Sequence, residues 1–160
     1  MDPILTGLLK PKSIAIIGAS TNPTKIGYKV VLNLIESQYK GGIYPVNPSA
    51  TEILGLKCYP TVNDIPYVVD AAVITVPAKG VLEVTKQCGE KGVKGLIIIT
   101  SGFGEVGEVE LEREIVRVAR SYGMRVLGPN IVGTLSNSDH MNASFAPFLP
   151  LPGKASLVSQ

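Results

Sequence analysis

Tryptophan is absent from this 160-residue chain, phenylalanine and methionine occur three times each, cysteine twice and histidine once. Each scarcity excludes something. One histidine and two distant cysteines, Cys58 and Cys88, cannot assemble a Cys/His zinc cluster within one chain, and they lack the C-x-x-C spacing of a redox pair. Both are expected as small buried thiols in a reducing compartment. Hydrolytic chemistry lacks its parts as well: there is no G-x-S-x-G elbow, and His140 has no cysteine nucleophile beside it. His140 therefore reads as a surface or loop residue. The net charge is only +2 with acids and bases interspersed, so there is no broad basic footprint for nucleic acid or an anionic membrane. Long apolar runs are missing too. "GLIIIT" is too short to cross a bilayer and "MDPILTGLLKPKS" too short for a signal peptide, which makes the cytoplasm the expected compartment.

What is present is an apolar fraction of 45% against 18% charged residues, enough to close the core of one globular domain. Short β-branched runs alternate with amphipathic stretches. The runs Ser13–Ile17, Ile43–Val46, Ala71–Val76, Gly95–Thr100 and Arg125–Leu127 are continuously apolar, as strands buried on both faces are. Between them, Ile26–Ser37, Lys79–Glu90 and Val109–Tyr122 carry apolar residues at helical spacing. The pattern predicts an α/β fold, a Rossmann-like doubly wound parallel sheet. Glu105, Glu108, Glu110, Glu112 and Glu114 crowd the start of the last helix, where carboxylates suit the positive end of the dipole. After Leu127 the chain is rich in Pro, Gly, Asn and Ser, an irregular C-terminal extension with short strands expected around Ile131–Thr134 and Ala143–Phe145. "ASLVSQ" at the end reads as the opening of a further strand.

In an open parallel sheet, ligands bind beyond the carboxyl ends of the strands. The first strand is followed by "GASTNPTKIG", where a dinucleotide fold normally shows G-x-G-x-x-G. Only Gly18 and Gly27 stand at its ends, with Ser20 and Lys25 between them, a hydroxyl and a point charge suited to phosphate beside a helix N-terminus. The second strand ends in Val46, Asn47 and Pro48, where an NAD site would carry an acid for the ribose hydroxyls. Without that acid, a ribose bearing a phosphate is permitted, as in NADP or coenzyme A; "NPS" as a plain turn is the other reading. Val76 and Pro77 follow the third strand, Ser101, Gly102 and Phe103 the fourth, and Gly128, Pro129 and Asn130 the fifth.

The blocks "PKSIAIIGASTNPTKIGYKVVLNL", "GGIYPVNPSATEILGLKCYPTVNDIP", "VDAAVITVPAKGV", "CGEKGVKGLIIITSGFGEVG", "GPNIVGTLSN" and "NASFAP" resemble, in order from Pro11 to Gln160, the N-terminal CoA-binding domain of ADP-forming acetyl-CoA synthetases. This is the acyl-CoA synthetase (NDP-forming) family, related to the succinyl-CoA synthetase α subunit. The resemblance implies that acyl-CoA, ADP and phosphate are interconverted with acid, CoA and ATP through an acyl phosphate and a phosphohistidine. It assigns Gly18, Ser20, Lys25 and Gly27 to the CoA phosphates, and Val46, Asn47 and Pro48 to the adenosine side. Val76, Pro77, Ser101, Gly102 and Phe103 become walls along the nucleotide and pantetheine, and Asn130 lies near the thioester. Relatives often carry cysteine or threonine where this chain has Ile131, so no side-chain chemistry is assigned there.

The same resemblance places the phosphorylated histidine, ATP/ADP and Mg outside this chain, in further α domains and an ATP-grasp β subunit or domain, the full enzyme being a hetero-oligomer. No catalytic residue and no metal ligand is assigned within the chain. Residues 1–150 would form the CoA-binding domain and 151–160 a linker with the first strand of a flavodoxin-like second domain. Other readings stay open: a stand-alone CoA-binding or regulatory module, the front part of a protein acetyltransferase, or an NADP-dependent oxidoreductase.

Overall fold

The computed structural model describes residues 3–154, 156 and 157. Five strands form one sheet: β1 (Ser13–Ile17), β2 (Gly42–Val46), β5 (Ala71–Ile74), β6 (Gly95–Ile98) and β7 (Arg125–Leu127). Their order is β2-β1-β5-β6-β7 and every pairing is parallel. All residues of β1, β5 and β6 are buried, which is why these strands read as unbroken apolar runs.

Alternation along β1 separates two cores. Ile14 and Ile16 meet Val30, Val31 and Leu34 of α2 (Ile26–Glu36) on one face. Ala15 and Ile17 belong with Val81 and Cys88 of α3 (Ala78–Lys91) and with Ile115 and Ala119 of α4 (Val109–Ser121) on the other. The helices thus cover both faces, the doubly wound arrangement expected.

The two free cysteines are buried, and burial pushes the Cys88 thiol up to about 12, so it stays protonated and inert. His140 is exposed at the turn of the hairpin formed by β8 (Gly133–Ser136) and β9 (Met141–Ser144), two short strands each displaced by about two residues from their expected places. No helix among the described residues is long and apolar enough to cross a membrane. The strand expected over "ASLVSQ" lies outside the described residues, apart from Ser156 and Leu157, which are in no regular element.

Four features escape the periodic reading, one of them a 3-10 turn at Gly104–Val106. The short helix α1 (Pro3–Leu9) presses Leu8 against the sheet at Gly95, where a Cβ would stand 2.6 Å from Leu8 Cδ1. A hairpin of two-residue strands, β3 (Glu52–Ile53) and β4 (Leu56–Lys57), turns through Leu54 and Gly55, both at positive φ as a two-residue hairpin loop requires. Another 3-10 turn covers Val62–Asp64. Each is too short to show a period.

The β8–β9 hairpin is held on α2 by a polar residue buried in an otherwise apolar face. Asn33 Nδ2 donates to the carbonyls of Ser144 at 2.8 Å and Ala146 at 2.7 Å. Asn33→Ala leaves both carbonyls without this donor, and urea unfolding should show a loss of about 2 kcal/mol. An unchanged midpoint would mean that the hairpin is carried by Met141 and Ala143 alone.

Candidate functional site

The segments after β1, β2, β5 and β6 gather at the carboxyl edge of the sheet around a cavity of about 750 Å³. Its floor is the junction of β1 and α2. Gly18, at φ +93°, sends its N–H to the Val46 carbonyl at 3.1 Å, and a Cβ there would lie 2.7 Å from Thr75 Oγ1. Gly27 is tighter still: a Cβ would stand 2.0 Å from the Gly18 carbonyl oxygen. The glycines at the two ends of "GASTNPTKIG" are therefore demanded by the chain's own backbone.

Between them the loop braces itself. Ser20 Oγ accepts the Asn22 N–H at 3.1 Å, and Asn22 Oδ1 accepts both the N–H and the hydroxyl of Thr24 at 2.9 Å. The Ser20 hydroxyl proton is left for an outside acceptor. Lys25 occupies the N-cap of α2 in extended conformation with no side-chain cap bond. The N–H groups of Tyr28 and Lys29 close on the Lys25 carbonyl. This leaves those of Ile26 and Gly27, two residues of the cavity lining, without a side-chain cap and beside a cation, a donor set for an oxyanion.

The expected residues divide into two groups. Gly18, Ser20, Lys25, Gly27, Asn47, Val76, Pro77 and Ser101 all line this one cavity. Val46, Pro48, Gly102, Phe103 and Asn130 do not: Val46 is buried and Pro48 is exposed on a turn. Phe103 corrects its expected role as a wall, because its ring is wholly buried in the core with α3 and α4. It anchors the loop. Gly102, at φ +105°, and Phe103 give their N–H groups to Glu105, at 2.5 and 3.1 Å, and Gly104 gives its own to Glu112 at 3.1 Å. The Gly102 N–H, with smaller help from the main chain of Glu105 and Phe103, holds the Glu105 carboxyl below its usual range. What the ionised group adds to loop order is present above the usual carboxylate range and lost as pH falls through the depressed value. The acidic run is structural, as expected.

A second order lies along the sheet edge, in sheet sequence. Asn47 Nδ2 donates to the Ala19 carbonyl at 2.8 Å, joining the loops after β2 and β1. Thr75 sends N–H and hydroxyl to the Ile17 carbonyl, at 2.9 and 3.2 Å, joining β5 to β1. The Thr100 hydroxyl donates to the Val76 carbonyl at 2.7 Å, and the Asn130 N–H to the Thr100 carbonyl at 3.0 Å. Every pair of adjacent strands is thus tied once more beyond its ladder. Thr75 and Thr100, with Ile99, Ala78 and Thr24, are cavity residues that the sequence reading left out. The available signal was the repeated ending of "AAVIT" and "LIIIT", where a hydroxyl closes a buried strand.

A second cavity, of about 360 Å³ between α2 and residues 147–149, is lined by residues that include Asn33, Glu36, Ser37 and Asn142 and lies away from the strand ends. It has no cation and no helix N-terminus. No cluster of three or more His, Cys, Asp or Glu able to hold a metal occurs among the described residues.

The contrast between two glycines tests the floor of the site. Gly27→Ala should cost roughly 3 kcal/mol, since β1 and α2 must separate to admit the methyl. Gly80→Ala, whose new Cβ would meet only Val76 Cγ2 at 3.7 Å, should be neutral or stabilise α3 by up to ~1 kcal/mol. Paired urea titrations check both, and equal responses would remove the argument from close approach.

The CoA binding domain family matches residues 12–136. The chain is 51% identical over 162 residues to the acetate–CoA ligase (ADP-forming) I subunit alpha of Pyrococcus furiosus, covering 98% of this chain and 35% of that protein. It is 47% identical over 150 residues to the acetate–CoA ligase (ADP-forming) of Methanocaldococcus jannaschii, covering 94% of this chain and 21% of that one. The apo structure of the dinucleotide forming acetyl-coenzyme A synthetase 1 of Ca. Korarchaeum cryptofilum superimposes with a TM-score of 0.88 at 55% identity, over 89% of this chain and 31% of that chain. The chain spans about a fifth to a third of the length of these relatives. A family match over most of the chain, joined to a phosphate-type donor set at the carboxyl edge of a doubly wound parallel sheet, shows that the chain belongs to the CoA binding domain family.

Proposed function

We propose that this chain binds coenzyme A at the carboxyl edge of its sheet and serves as the CoA-binding domain of an ADP-forming acetate– or acyl–CoA ligase. The observation that carries the reading is the uncapped N-terminus of α2 beside Lys25 and Ser20, opening on a cavity with no carboxylate at the end of β2. Gly18 and Gly27 keep the floor clear of side chains, so a diphosphate can reach main-chain N–H groups. Asn47 presents an amide where an acid would repel a phosphorylated ribose. Val76, Pro77, Ala78 and Ile99 offer apolar surface for the less polar remainder of the ligand. When bound, the coenzyme supplies a thiol that carries the acyl group as a thioester.

The parent protein would interconvert acyl-CoA, ADP and phosphate with the acid, CoA and ATP. Residues 1–150 form the coenzyme domain in this reading, and the chain from 151 leads toward further domains, in keeping with the greater length of the relatives. ATP/ADP, Mg and the phosphate-carrying histidine are assigned to those domains and to an ATP-grasp partner. His140 takes no part, being exposed at a hairpin turn. The cytoplasm is the compartment that keeps Cys58 and Cys88 as thiols.

Calorimetric titration with CoA and with NADP separates the two ligands that the missing acid permits. CoA should bind, and at a hundredfold excess over its dissociation constant it should stabilise the fold by about 2.7 kcal/mol. Tight NADP binding without CoA binding would overturn the reading in favour of an oxidoreductase. Lys25→Ala should weaken CoA roughly tenfold while leaving pantetheine, which lacks the nucleotide phosphates, unaffected. Equal losses for both ligands would show that Lys25 is no phosphate contact.

A further inference from the structure

The main-chain ladder between β5 and β6 reaches Ile99, whose N–H donates to the Ile74 carbonyl at 3.1 Å. From there the junction passes to a side chain. The Thr100 hydroxyl donates to the Val76 carbonyl at 2.7 Å, with a longer contact of 3.4 Å to the Ile74 carbonyl. The Thr100 carbonyl accepts the Asn130 N–H at 3.0 Å, and Asn130 sits in the left-handed region at φ +56°. One residue thus joins the segments after β5, β6 and β7. Thr75 differs, since its hydroxyl only repeats a link that its own N–H already makes to the Ile17 carbonyl.

The position of Val76 matters beyond itself. Pro77 follows it as the N-cap of α3, with φ −54°, so moving the Val76 carbonyl moves Pro77 and Ala78, both of which line the cavity. A hydroxyl that donates to a main-chain carbonyl has no proton left for a ligand. It offers an outside partner only lone pairs and a methyl group.

We infer that Thr100 is the positioning residue of the cavity wall: its hydroxyl holds residues 76–78, and its carbonyl holds Asn130, at the spacing required by the coenzyme proposed above. The inference rests on that reading for its ligand but not for its mechanics. Nothing in the role needs Thr100 to touch the coenzyme through a donated bond.

Thr100→Val keeps the shape and removes the donor, whereas Thr100→Ser keeps the donor. Amide exchange of the free chain and calorimetric CoA affinity are read on both variants and the parent chain. Thr100→Val should raise exchange about tenfold across residues 76–80 and 128–131, leave protection in β5 unchanged, and weaken CoA roughly tenfold. Thr100→Ser should do none of these. Parent-like exchange in Thr100→Val overturns the inference, as does a serine variant that loses as much as the valine one. So does protection lost throughout the sheet or a valine variant that does not fold, because the hydroxyl would then hold the fold rather than the wall. A parent chain without affinity for CoA overturns the coenzyme reading instead, and the exchange comparison still decides the role of Thr100.

Discussion

Among the glycines, Gly27 leaves least room for a side chain: an added Cβ would stand 2.0 Å from the Gly18 carbonyl oxygen. Because α2 must come this near to β1, its first turn begins directly above the end of the strand. The seven residues between Gly18 and the start of α2 cannot take a direct path, and they form a loop braced by Ser20, Asn22 and Thr24. Lys25 is left at the mouth, and the uncapped N-terminus points inward. The width of the loop follows from a backbone contact.

Burial and polar ties divide the work on either side of that contact. Fully burying an isoleucine or a leucine is worth about 1.5–3 kcal/mol, and β1, β5 and β6 are buried along their whole length. A neutral hydrogen bond contributes a net ~1 kcal/mol. The ties of Asn47, Thr75 and Thr100 therefore add little to whether the sheet forms. They act instead on where its loops stand, alongside the Gly18 N–H to the Val46 carbonyl and the buried Phe103 ring. The spacing of those loops is the width of the cavity.

The same division explains what could be read from the residues. Strands buried on both faces announce themselves as unbroken apolar runs, and helices of eleven to fourteen residues show their period, so the doubly wound sheet was legible. The strand ends gave the loops of the site and eight of the residues that line its cavity. Elements of two to seven residues, such as α1 and the β3–β4 hairpin, have no period to show. The resemblance assigns Phe103 to a ligand wall, whereas its ring fills the core, a placement that depends on helices distant in sequence. Thr75 and Thr100 fall inside the apolar runs Ala71–Val76 and Gly95–Thr100, although β5 and β6 stop at Ile74 and Ile98 and the threonines go on to tie the edge. Their identity was visible; what each hydroxyl touches depends on a neighbouring strand distant in sequence.

Asn47 shows how a fold can choose among ligands before any ligand arrives. Its Oδ1 accepts the N–H groups of Ser49 and Ala50 at 2.8 and 3.2 Å, which an aspartate could also do. Its Nδ2 donates to the Ala19 carbonyl, which an aspartate could not, since a carboxylate there would set lone pairs against lone pairs. The position where a dinucleotide fold keeps its acidic ribose anchor is here occupied by the tie between the first and second loops. The two uses exclude each other at one side chain. A chain that relies on Asn47 to hold its first loop in place has no acid at that position.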